Sequence, residues 1–167
     1  MYKDVHLLIG DFMEIIKTDL AIELENKYHH EFSFIPKQGT SESAGYDVRA
    51  CIDEEVFIYP NQVETIPLGF KLHIADRSMV GLVVPRSGLG GNEGYVLGNL
   101  VGVIDSDYQK EWMLKLWNRT DAPICVKPTM RIAQVLFTYA LHPTFTEKHT
   151  FTVDTPRLGG FGHTGVM

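Results

Sequence analysis

Proline, glycine, asparagine and aspartate cut this chain at short, regular intervals, and that punctuation limits the fold more than any other feature. Val56–Tyr59 stops at Pro60-Asn61, Val63–Ile66 at Pro67-Leu68-Gly69, Phe70–Ile74 at Ala75-Asp76-Arg77, and Met79–Val84 at Pro85. Further on come Trp112–Trp117, a turn over Arg119–Pro123, Ile124–Val126, a turn at Lys127-Pro128-Thr129, and Ile132–Tyr139. Segments this short, rich in β-branched and aromatic residues and spaced roughly 8–12 residues apart, predict an all-β sandwich or barrel. Upstream, Leu20–Leu24 reads as a first strand, Glu25–His30 as a polar turn and Phe32–Phe34 as a short extended piece closed by Pro36. Lys37–Ser43 is a loop, and Ala44–Ala50 enters a strand with Asp47 among apolar neighbours. Leu8, Phe12, Ile15 and Ile16 recur at helical spacing, predicting a short amphipathic helix within residues 1–19 that packs on the body. The expected organisation is this extension, a β domain over 20–150, and a glycine-rich tail over 151–167.

A chain of 167 residues can bury its own core as one domain. A net charge of −6 argues against a dedicated nucleic-acid binder, which would carry a basic footprint. Cys51 and Cys125 form neither a disulfide framework nor a metal cluster, and His29-His30 has no further ligands beside it. No apolar run approaches the roughly 20 residues that span a bilayer, and no basic stretch followed by an apolar block marks a signal peptide. The expectation is a soluble cytoplasmic protein with no membrane partner.

Chemistry concentrates between Val83 and Asn118. Pro85–Gly91 reads as a loop bearing a guanidinium, a hydroxyl and free backbone N–H groups, which is what a phosphate chain requires. Gly98–Asp105 reads as a hairpin arm ending on the acidic tip Asp105-Ser106-Asp107-Tyr108. An anion cradle, a carboxylate and an aromatic ring so close together point to a nucleotide or sugar-phosphate hydrolase that uses a carboxylate-activated water. Other motifs fail. Gly160–Gly165 fits G-x-G-x-x-G, but no helix follows it, and no Walker A sequence occurs.

Five segments in order resemble the motifs of the trimeric deoxyuridine triphosphatase (dUTPase) family: AGYDVRA (44–50), PRSGLG (85–90), GNLVGVIDSDY (98–108), RIAQVLF (131–137) and GGFGHTG (159–165). The resemblance implies a jelly-roll-like, β-clip antiparallel subunit in a homotrimer with shared active sites. It also implies the reaction: dUTP and water give dUMP and pyrophosphate with Mg²⁺, which limits uracil in DNA and supplies dUMP for dTMP synthesis.

The family resemblance also assigns roles. Asp105 matches the carboxylate that activates the attacking water, as a base within hydrogen-bond reach should. Tyr108 matches the ring that lies against the deoxyribose and leaves no room for a 2′-hydroxyl. Asn99, with backbone groups of the arm around Val103 and Ile104, matches the uracil reader. Arg86, Ser87 and Gly88 match the phosphate loop. Gln134 and Asp47 match residues near the metal's water shell, with no direct protein ligand to the metal. For Asp47, pairing with Arg131 is the alternative. In the tail, Phe161 matches the ring that closes over uracil, while Gly162, His163, Thr164 and Arg157 match contacts to the terminal phosphates. The chain departs from the family pattern in three places. Arg157 stands four residues before Phe161 instead of five, Lys110 replaces a common Gly, and Pro128-Thr129-Met130 precedes Arg131 without the usual Gly. Two rivals remain: dCTP deamination on the same fold, and a binding or regulatory protein that keeps the fold.

Overall fold

The structure, a computed structural model, describes residues 13–153. In chain order the elements are β1 Met13–Lys17, α1 Asp19–Lys27, β2 Lys37–Gln38, β3 Tyr46–Arg49, β4 Val56–Ile58, β5 Val63–Ile74, β6 Met79–Pro85, α2 Ser87–Asn92, β7 Tyr95–Leu97, β8 Gly102–Ile104, β9 Glu111–Asn118, β10 Ile124–Val126 and β11 Arg131–Tyr139. The strands form a four-stranded sheet β1-β5-β9-β7, a five-stranded sheet β2-β3-β11-β6-β8, and the pair β10-β4. Every pairing is antiparallel. This is the all-β architecture predicted from the punctuation. No helix among the described residues is long and apolar enough to cross a membrane.

Alternation explains how the two larger sheets face each other. In β9 the even positions Trp112, Leu114, Leu116 and Asn118 turn inward, and in β6 Met79, Gly81 and Val83 do so. They meet Phe70, Ile66, Leu68, Ile132 and Val135 in one core. Burying side chains of this size contributes about 1.5–3 kcal/mol each. Gly81 makes room for the largest of them, since a Cβ there would lie 3.1 Å from the Trp112 ring. Phe70 packs on the same ring at 5.2 Å between centroids. At the far end of β9, Asn118 is fully buried. Its Nδ2 donates to the Ile58 and Ala122 carbonyls, and its Oδ1 accepts from the Thr120 amide and hydroxyl, all at 2.8 Å. One amide thus ties β9 to the small β10-β4 pair.

Three sequence expectations are corrected. Residues 13–17 form a strand, not part of a helix: they pair with Phe70–Ile74, and Ile15 packs on the core from that strand. Leu20–Leu24 is helical, not a strand. Thr18 caps α1 by accepting from the Ala21 amide, and Ala21, Leu24 and Glu25 form its buried face at i, i+3 and i+4. Phe32–Phe34 is not a strand either. It packs with α1 and Cys51 as a satellite core. The remainder of the extension, with Leu8 and Phe12, lies outside the described residues.

Glu25 holds this satellite in place. It accepts from the Phe34 amide at 2.8 Å, the Ser33 hydroxyl at 3.0 Å and the Lys17 ammonium at 2.5 Å. Burial opposes its ionisation. The Lys17, Phe34 and Ser33 hydrogen bonds outweigh that and hold the carboxyl below its ordinary range. A carboxyl with a depressed folded pKa stabilises the fold above its unfolded pKa and loses that contribution as pH falls. The urea midpoint should therefore drop more steeply between about pH 6 and about pH 3 in the wild type than in Glu25→Gln. Equal slopes would remove Glu25 from the account. Asn118→Ala removes four hydrogen bonds, of whose partners only the Thr120 hydroxyl and the Ala122 carbonyl can still pair with each other, and should cost about 2–4 kcal/mol in the same assay.

Candidate active site

The site is built around Asp47. This residue lies in β3, where it pairs with Gln134 of β11 on one side and Lys37 of β2 on the other. Its carboxylate bridges two guanidiniums: Arg86 Nε donates to Oδ1 at 2.7 Å and Arg131 Nη1 donates to Oδ2 at 3.0 Å. Arg49 lies close to the same group. Burial first, and the charges of Arg131 and Arg86 with it, lower its proton affinity against the pull of Asp47. Arg86 and Arg131 around one carboxylate leave a local positive surplus in a chain of net charge −6, and this surplus faces a cavity of about 310 Å³. Asp47, Arg86, Ser87, Gly88, Arg131 and Gln134 line it.

Pro85–Gly91 is not the expected loop. Ser87 opens the short helix α2, with Gly90 N–H bonded to the Arg86 carbonyl at 2.8 Å and the Gly90 carbonyl accepting from Arg119 at 2.8 Å. Three glycines disfavour a helix intrinsically. Tertiary contact overrides that, because Leu89 and Gly90 are buried and a Cβ on Gly90 would lie 2.8 Å from the Pro85 side chain. The first turn of a helix leaves its N–H groups without intrahelical partners. Nothing lies within 4 Å of where a Gly88 Cβ would be, so an anion can approach the backbone here. Gln134 closes the wall. Its Nε2 donates to the Pro85 carbonyl at 3.1 Å, and its side chain lies across Gly45, where a Cβ would collide with Oε1.

The acidic tip lies elsewhere. β7 and β8 do not pair as a hairpin: β7 joins β9 in one sheet and β8 joins β6 in the other. The segment between them is a crossover arm carrying exposed Asn99, with Leu100 at φ 65° and its side chain 68% exposed. A left-handed leucine costs about 1–2 kcal/mol, and such strain often marks functional loops. Val103 faces outward, whereas the Ile104 side chain packs on the core, leaving only its backbone for a ligand. Asp105–Tyr108 is a turn closed by Tyr108 N–H to the Asp105 carbonyl and pinned by Ile74 N–H to the Ser106 carbonyl. No ion pair holds the exposed Asp105 carboxylate among the described residues.

Register fixes the separation. Gly81 faces Ile104, so Asp105 stands opposite Val80, and Arg86 lies six residues further along the same strand direction. At strand rise that is about 20 Å, more than the two side chains can bridge. One chain therefore brings Asp47, Arg86, Ser87, Gly88 and Gln134 together and holds Asp105 and Tyr108 as a second group, with Asn99 on the arm between them beside Gly102. Arg157, Phe161, Gly162, His163 and Thr164 lie outside the described residues. A larger cavity of about 540 Å³ adjoins the first, but its cations Lys37, Arg49 and Arg131 face the carboxylates Glu25, Glu31 and Asp47, leaving no surplus charge. Sequence reasoning missed the Gly45 clearance and the Leu100 strain. Only the glycine had a visible signal, its place directly before Tyr46-Asp47.

A family model described as dUTPase matches residues 32–165. The deoxyuridine 5′-triphosphate nucleotidohydrolase of Buchnera aphidicola is 46% identical over 144 residues, covering 86% of this chain and 94% of its own. The enzyme of that name from Escherichia coli is 43% identical over 149 residues, covering 89% and 97%. Among solved structures, a Staphylococcus bacteriophage 80alpha dUTPase mutant with dUpNHpp superposes with a TM-score of 0.77 at 19% identity, covering 93% and 99% of the two chains. A phage phi11 dUTPase mutant, described with a structural Mg(II) ion, superposes with a TM-score of 0.69 at 17% identity over 84% and 99%. The five motifs, the two residue groups on an antiparallel β framework and the match over most of the chain converge: this chain belongs to the dUTPase family.

Proposed function

We propose that the chain hydrolyses dUTP to dUMP and pyrophosphate by attack of a carboxylate-activated water on the α-phosphorus. The observation that carries the site assignment is the Asp47 bridge to Arg86 and Arg131 beside the open first turn of α2. The bridge engages Arg86 through Nε, which leaves its Nη groups for phosphate oxygens, and the Ser87 hydroxyl and Gly88 N–H supply further donors. Asp105 is the general base. A carboxylate exposed at a turn and free of an ion pair can take the proton of a water as that water meets phosphorus. Tyr108 packs against the deoxyribose and rejects a 2′-hydroxyl. Asn99 and the backbone near Val103 and Ile104 read the uracil edge, where a wrong base leaves buried polar groups unpaired. Arg157, Phe161, Gly162, His163 and Thr164 complete the site from the tail.

The residues present fit a magnesium ion that enters with the triphosphate. No group of three or more His, Cys, Asp or Glu side chains gathers to hold a metal among the described residues, and both Asp47 oxygens are engaged by guanidiniums. Asp47 and Gln134 would hold such an ion only through its water shell, in keeping with the waters that Mg²⁺ retains. When bound, the ion neutralises phosphate charge as the anhydride breaks.

The family resemblance implies a homotrimer, and two observations support the sharing of sites between copies. Asp105 and Arg86 of one chain lie about 20 Å apart by register, so a second copy is needed to unite them. Beyond β11 the chain continues with Leu141, Phe145 and Phe151, each about nine-tenths exposed, an apolar arm that a neighbouring copy would cover. Both cysteines are free, as suits a reducing cytoplasm.

Pyrophosphate release with magnesium should be confined to dUTP among dUTP, dCTP, dTTP and UTP. Asp105→Asn should lower kcat about 10²–10⁴-fold while dUTP still binds. Release from no substrate by folded protein, or ammonia from dCTP, would replace this reading with one of its rivals. Light scattering should give three times the chain mass, and a monomer at assay concentration contradicts the shared site.

A further inference from the structure

We infer that Glu111 is a positioning residue for Tyr108 and so sets the discrimination between deoxyribose and ribose. The inference rests on the proposed role of the Tyr108 ring. Glu111, the first residue of β9, is used at both ends. Its backbone carbonyl accepts from the Tyr108 hydroxyl at 3.2 Å, and its Oε1 accepts from the Gly69 N–H at 3.2 Å.

The second contact lies on a fixed point. Gly69 sits at φ 78° in a bulge of β5, where the register against β9 shifts between Pro67 and Lys71. A bulge takes its residue out of the ladder, and here the carboxylate supplies the missing acceptor. The Gly69 carbonyl is also held, accepting from the Thr18 amide at 2.9 Å. Nor can the bulge shift toward α1, because a Cβ at Gly69 would lie 2.7 Å from Cys51 Sγ and 3.0 Å from the Ala21 side chain. The bulge is thus locked by core packing, and Glu111 is hydrogen-bonded to it. Tyr108 is more than a third exposed, so packing alone does not aim its ring. Its hydroxyl bond to Glu111 does so, across a turn whose middle is pinned at Ser106 by Ile74. A carboxylate at position 111 therefore transmits the rigidity of the β5 bulge to a surface ring some residues away.

The test is kcat/KM for dUTP and for UTP in the wild type, Tyr108→Ala, Tyr108→Phe, Glu111→Ala and Glu111→Gln. Tyr108→Phe, which removes the bond to the carbonyl, should lower the dUTP/UTP ratio about 3- to 10-fold, the worth of one hydrogen bond; Glu111→Ala, which keeps that carbonyl and loses only its anchor at Gly69, should lower the ratio in the same direction by a smaller factor. Glu111→Gln, which keeps the acceptor, should hold the ratio near wild type. A merely structural loss would lower both substrates together and leave the ratio unchanged. If Tyr108→Ala lowers the ratio but Glu111→Ala does not, the positioning role is wrong and the Tyr108 reading survives. An unchanged ratio in Tyr108→Ala overturns both. Tyr108→Phe leaves the bulge intact, so an unchanged ratio there overturns the proposal even where Glu111→Ala folds poorly.

Discussion

The antiparallel pairing of β6 governs where the candidate residues stand. β11 pairs along its full length, from Pro85 opposite Ala133 to Met79 opposite Tyr139, and β8 pairs along its other edge. Packing fixes the strand itself: its odd positions Met79, Gly81 and Val83 face the core, and Gly81 is the notch that admits Trp112. A shift of one residue would turn these positions to the wrong face and put a larger side chain against the Trp112 ring. With β6 held in register, its C-terminal end delivers Arg86 and the start of α2 beside Asp47 and Gln134. Its opposite end faces Asp105. The separation of the two functional groups follows from the length of one strand.

Electrostatics explains how a chain of net charge −6 can receive a triphosphate. Asp47 does not neutralise the arginines around it; it orients two of them and lowers the repulsion between them. Removing it would leave Arg86 and Arg131 without their common acceptor, so its role in placing Arg86 precedes any contact with a metal's water. The Asp105 carboxylate stays outside this positive group in the same chain. Shared sites would bring the base to the phosphates only on assembly.

Much of this was legible in the residues. The turn-rich spacing marked most of the strands, and the five motifs marked the candidate residues. The losses have physical causes. Leu20, Ile22 and Leu24 alternate as a strand would, yet Ile22 is exposed, and the buried face runs through Ala21, Leu24 and Glu25. Thr18 with Asp19 behind it was the cap signal that separates the two patterns. Val63–Ile74 looked like two strands because Pro67-Leu68-Gly69 reads as a stop, but Gly69 forms a bulge and the strand continues. α2 was hidden by its glycines, whose close packing no local propensity reveals. The crossover of Gly98–Val101 between sheets depends on long-range pairing of β7 and β8 that a local hairpin pattern cannot disclose.

The most direct test of the central claim, that separate copies unite the two groups, is complementation between two inactive variants. Asp105→Asn chains keep the phosphate wall, and Arg86→Ala chains keep the base. Co-expressed in equal amounts and purified together without separating the assemblies, they should recover about a quarter of wild-type dUTP hydrolysis, the share of sites that draw an intact half from each copy at random. Activity no higher than that of either variant alone would mean that both halves of each site come from one chain, and would contradict the account.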